Sequence, residues 1–88
     1  MKVKEGFVLR KVGKEQVVVA LGEASVLLNG LIKLNDSGVM LWKLLEQGAE
    51  RNELADALLQ KYDISPEQAE KDVDSFLEPL IEIGCIAE

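Results

Sequence analysis

The chain has 88 residues, 48% of them hydrophobic, with 10 basic and 16 acidic side chains and a net charge of −6. That length holds one modest core, and that apolar fraction excludes a disordered chain. No histidine and only one cysteine are present, which removes the commonest general base, the commonest metal ligand and any internal disulfide.

The chain begins Met1-Lys2-Val3-Lys4-Glu5 and leads into no signal-peptide core. Apolar runs such as Val17-Val18-Val19-Ala20-Leu21 fall far short of the ~20 residues that span a bilayer. A cytoplasmic protein away from membranes is expected. The charge is uneven. Residues 1–34 carry six basic against three acidic residues, or +3, and residues 35–88 carry four against thirteen, or −9. An acidic half repels a phosphate backbone.

Strand signals come first. Phe7-Val8-Leu9-Arg10-Lys11-Val12 leads to a Gly13-Lys14 turn, and Gln16 to Leu21 is rich in β-branched residues. Gly22-Glu23 breaks that run. Val26-Leu27-Leu28 and Leu31-Ile32-Lys33-Leu34 flank Asn29-Gly30, a strong hairpin signal. The turn chemistry therefore predicts an antiparallel meander.

After Leu34 the period becomes helical. Asn35 is a good N-cap, followed by Asp36 in the first turn, an apolar stripe of Leu41, Trp42 and Leu45, and a stop at Gly48. A second helix is expected from about Arg51 to Tyr62, with Leu54, Ala55, Leu58, Leu59 and Tyr62 on one side. The third opens with Ser65 as cap, Pro66 at the first position and Gln68 completing a capping box, and ends at Gly84. Its apolar positions are Ala69, Val73, Phe76, Leu77, Leu80, Ile81 and Ile83. They span an arc of roughly 160° at 100° per residue, wider than the one-sided stripe of about 100°. The surplus either serves a partner or is wrapped from two sides. Residues 1–88 thus read as a single α+β domain, with strands over about 6–34 and helices over about 36–84.

Several candidate sites have simpler readings. Ser37 after Asp36 resembles the phosphopantetheine serine of a carrier protein, but Gly38 replaces the usual apolar neighbour and strands precede it, so helix capping explains it better. A meander with helices also suits a winged-helix DNA-binding regulator. Helix three, however, would expose Glu67, Glu70, Asp74, Glu78 and Glu82 with Lys71 as the only cation. No calcium loop and no phosphate-binding glycine loop occur. Cys85 reads as a small core residue and Trp42 as a core aromatic. Pro79, inside helix three, cannot donate to the Ser75 carbonyl.

The ordered set Leu31-Ile32-Lys33-Leu34-Asn35-Asp36-Ser37-Gly38, Trp42, Leu45, Gly48, Leu54, Leu58, Tyr62, Asp72-Val73, Phe76-Leu77, Leu80 and Gly84 resembles the PqqD-like proteins, also called RiPP recognition elements. The resemblance covers about Gly6 to Ile86. Glu50 departs from it where a Thr or Ser cap is common, Cys85 where a larger aliphatic residue is usual, and Pro79 where the helix is normally uninterrupted.

The resemblance implies a winged-helix-like fold, a three-stranded antiparallel β-meander followed by three α-helices. With no histidine, no cysteine pair and no nucleophile–base arrangement, no catalysis, cofactor or metal is expected. The expected role is an adaptor in natural-product biosynthesis. It would bind the leader segment of a ribosomally made precursor peptide and present it to a modifying enzyme, first a radical SAM maturase and second a leader peptidase for lasso peptides. The leader would add as a strand along Leu31, Ile32, Lys33 and Leu34 and lie against Asp72, Val73, Phe76, Leu77 and Leu80. The +3 balance of the strand region suggests tolerance for an acidic leader.

Overall fold

The computed structural model describes residues 1–28 and 30–87. Strands β1 (Lys2–Val3), β2 (Phe7–Val12), β3 (Glu15–Ala20) and β4 (Leu31–Leu34) precede helices α1 (Asp36–Gln47), α2 (Arg51–Lys61) and α3 (Pro66–Ile83), and β5 (Ile86–Ala87) follows. Strands β2, β3 and β4 form one antiparallel sheet in that order, so β4 is an edge. The α+β meander followed by three helices is the architecture expected from the sequence.

Gly13, at φ +62°, turns β2 into β3. The connection from β3 to β4 differs from expectation. Gly22–Val26 is a short 3-10 helix, so Val26-Leu27-Leu28 is not a strand, and β4 pairs directly with β3. Gly22 at φ +60° redirects the chain, and the Ser25 hydroxyl donates to the Gly22 carbonyl at 2.7 Å. The turn then packs Ala24 against Gly6, where an added Cβ would come within 2.6 Å of the Ala24 Cβ. That docking displaces the hairpin pattern. The Asn29-Gly30 turn reading includes Asn29, which lies outside the described residues.

Helix α1 starts as expected. Asn35 Oδ1 accepts from the Gly38 N–H at 2.8 Å and from the Ser37 hydroxyl at 3.0 Å. Ser65 Oγ likewise accepts from the Gln68 N–H at 3.1 Å. The Gln68 side chain reaches forward along α3 instead of back to the cap, and its Nε2 donates to Asp72 Oδ1 at 2.8 Å. At α2, where Glu50 replaces the usual hydroxyl cap, the Glu50 N–H donates to Glu53 Oε1 at 2.9 Å. Arg51 pairs with Asp74 and ties α2 to α3. Tyr62 lies one residue past α2, as its C-cap.

The inner sheet face and the three helices enclose one core, which includes Phe7, Val18, Leu41, Trp42, Leu45, Leu54, Leu58, Val73, Leu77 and Leu80. Trp42 and Cys85 are fully buried within it, as their apolar surroundings in sequence suggest. Burial pushes the Cys85 thiol up to about 11, against partial lowering by a backbone hydrogen bond and Lys4. The pair β1–β5 was not foreseen. It is anchored by the Lys4 N–H on the Cys85 carbonyl and the Ala49 N–H on the Met1 carbonyl, both at 2.9 Å. No helix among the described residues is long and apolar enough to cross a membrane.

Candidate peptide-binding cleft

The open edge of β4 follows from one hydrogen bond and an unbroken register. The Leu21 N–H donates to the Gly6 carbonyl at 2.7 Å. Antiparallel pairs alternate between hydrogen-bonded and non-hydrogen-bonded. Along Phe7↔Ala20 to Val12↔Glu15, the odd-numbered residues of β3 therefore bond to β2. Val18 and Gln16 then bond across to Ile32 and Leu34. The N–H and C=O groups of Leu31 and Lys33 are left pointing out of the open edge. Their side chains are exposed, whereas those of Ile32 and Leu34 are half-buried on the inner face. Lys33 Nζ holds Glu15 Oε1 at 3.1 Å, a charge on an edge that otherwise invites pairing.

A cleft of about 700 Å³ lies between this edge and α3. Ile32, Leu34, Leu41, Leu58 and Leu80 give it an apolar floor. Asp72, Ser75, Phe76 and Pro79 form the α3 wall, and Asn35, Ser37 and Gly38 close the end where β4 enters α1. That end is tight for a reason. A Cβ on Gly38 would meet Asn35 Oδ1 at 3.2 Å and the Leu34 Cβ at 3.4 Å, so a larger residue fits there only if the capping side chain shifts slightly. A shallower recess of about 370 Å³ continues past Ser37 towards Tyr62 and Ile64, with Asp36 and Asp72 on its rim.

The structure gathers Ile32, Lys33, Leu34, Asp72, Phe76 and Leu80 in the cleft lining. Leu31 contributes its main chain at the edge, and its side chain is turned outward. Val73 and Leu77 are placed elsewhere. Both are buried in the core and neither lines the cleft, because the face of α3 that packs inward runs through Ala69, Val73, Leu77 and Leu80. The surplus apolar arc is real at two positions. Phe76 is half-buried beside the cleft, and Ile81 is 49% exposed.

Sequence reasoning missed Ser75 and Pro79 as cleft residues, although the signal was there. Asp72, Ser75, Phe76 and Pro79 stand at i, i+3, i+4 and i+7, which is one helical face. The expected basic character also does not reach the cleft. Of the six cations in residues 1–34 only Lys33 lines it, against Glu15 and Asp72. Ser37 has its hydroxyl engaged in the α1 cap, as the structural reading of that residue requires.

The model of the family described as coenzyme PQQ synthesis protein D (PqqD) matches residues 15–86. The chain belongs to the PqqD family. A solved structure of TbiB1 in complex with the TbiA(beta) leader peptide superposes with a TM-score of 0.76 at 26% identity, covering 97% of this chain and 93% of that one. A lasso peptide synthetase B1 complexed with a leader peptide superposes with a TM-score of 0.73 at 19% identity, covering 94% and 92%. The second likeness is one of fold alone. A search of curated proteins finds no match.

Proposed function

We propose that this PqqD-family chain is a non-catalytic adaptor that binds the leader segment of a ribosomally synthesised precursor peptide by strand addition and presents it to a modifying enzyme. The observation that carries the reading is the pairing of an open β4 edge with an apolar-floored cleft along α3. Strand addition draws affinity from main-chain hydrogen bonds and selectivity from side-chain pockets. The Leu31 and Lys33 amides supply the first, and the space between Ile32, Leu34 and Phe76 supplies the second. The TbiB1 structure is a complex with a leader peptide, which supports the same occupant here.

The adaptor needs no cofactor and no nucleic acid. Its α3 surface is acidic, with Glu67, Glu70, Asp74, Glu78 and Glu82 all exposed. The enzyme it serves is a radical SAM maturase in the first instance or a lasso leader peptidase in the second, and the site of action is the cytoplasm. The test is fluorescence polarisation with a labelled leader of the cognate precursor, followed by turnover of each enzyme class with and without the chain. Saturable leader binding and turnover that needs the chain are expected. Turnover by the chain alone, or duplex DNA binding in place of leader binding, would contradict the reading.

A further inference from the structure

We propose that the α3 wall of the cleft contains a subsite for a lysine or arginine side chain of the bound peptide, formed by the Ser75 carbonyl and the Asp72 carboxylate. The inference rests on the peptide-binding reading and names the side-chain chemistry that reading leaves open.

In a helix the Ser75 carbonyl would accept from the N–H four residues on. That residue is Pro79, which has none, yet α3 continues to Ile83. Ser75 and Pro79 are both exposed, and both line the cleft. The acceptor that Pro79 leaves without its helix donor therefore belongs to the wall of the cleft. Asp72 sits one turn earlier on the same face and lines the same cleft. Gln68 Nε2 takes its Oδ1 at 2.8 Å and leaves the other oxygen open.

The remaining charges single out Asp72. Glu15, across the cleft, is held by Lys33 at 3.1 Å, and Asp74, on the next face of α3, is held by Arg51. Among the described residues, Asp72 is the cleft carboxylate without a cation. Asp72 and Ser75 are exposed, so solvent can reach this wall while the cleft is empty. Once a strand adds to β4, water is displaced and both acceptors need donors. An apolar side chain would strand them, and an acidic one would be repelled. An ammonium or guanidinium group carries several donors and no acceptor, so it can serve both. Alternate residues of an added strand face the cleft, so one of them can carry the cation.

Selection from a displayed random dodecapeptide library tests this, using the wild-type chain, Pro79→Ala and Asp72→Asn. Wild-type selection is expected to enrich Lys or Arg at one fixed position. A synthetic peptide from that pool should bind Pro79→Ala about fivefold more weakly, because the restored N–H reclaims the Ser75 carbonyl. The same substitution should raise the melting temperature, since it removes a proline from a helix interior. A purely structural role for Pro79 would not give these opposite signs. Asp72→Asn should weaken the same peptide, and a norleucine in place of its cation should cancel both effects in a double-mutant cycle. Equal affinity for wild type, Pro79→Ala and Asp72→Asn would overturn the subsite. So would a wild-type pool without basic enrichment whose peptides still protect the Leu31 and Lys33 amides. A library that yields no peptide seated on β4 overturns the peptide-binding reading, and the subsite with it.

Discussion

The Leu21 N–H on the Gly6 carbonyl, 2.7 Å away, sets the phase of the whole sheet and so decides which amides of β4 are free. Proline substitution separates the two sets. Lys33→Pro removes a donor that points out of an edge, where proline is tolerated. Its folding stability should change by less than about 1 kcal/mol, and leader affinity should fall about tenfold relative to Lys33→Ala. Ile32→Pro removes a donor bonded to Val18 and should lower the urea midpoint sharply. Equal stability losses would mean that the phase is wrong.

Trp42 is fully buried, and its indole N–H has no hydrogen-bond partner. Trp42→Ala should cost about 3–5 kcal/mol, read as a lower urea midpoint. Trp42→Phe should cost much less, since it also removes the unpaired donor. An unchanged midpoint for Trp42→Ala accompanied by lost peptide binding would move Trp42 from the core to the binding surface.

Asn35 both caps α1 and shapes the cleft end. Asn35→Ala should destabilise the fold by about 1 kcal/mol. Gly38→Ala should also destabilise it, because the new methyl presses on Asn35 Oδ1. Thermal melts check both. Stabilisation of Gly38→Ala, the usual helix result, would show that the cap yields without strain.

The Cys85 thiol is raised by burial from 9.0 to about 11. Between those values the unfolded chain releases its proton while the folded chain keeps it, so stability should fall as pH rises from about 9 to about 11. Cys85→Ala should flatten that part of the profile. A thiol reagent at neutral pH should react with the native chain far more slowly than with the urea-unfolded one, and equal rates would contradict the buried placement.

Most of the fold was legible because its signals are local. Asn35, Ser65, Pro66, Gly48 and Gly84 mark helix ends by chemistry that needs no tertiary information, and β2 and β3 are long enough to show their composition. The connection before β4 was not legible, because its 3-10 turn depends on Ala24 meeting Gly6 across the fold. Strands β1 and β5 have two residues each, too few to show a period. The candidate site was half legible. The edge came from the family resemblance, whereas Val73 and Leu77 could be told from Phe76 only by knowing which way α3 rotates against the sheet.

The central claim is that a leader pairs with the open edge of β4. Residue-resolved amide hydrogen exchange, with and without the cognate precursor leader, tests it most directly. The Leu31 and Lys33 amides should gain strong protection. Those of Ile32 and Leu34, already bonded to β3, should change little, and a smaller effect should run along residues 72–80. Protection that maps to α2 while the Leu31 and Lys33 amides stay open would contradict strand addition.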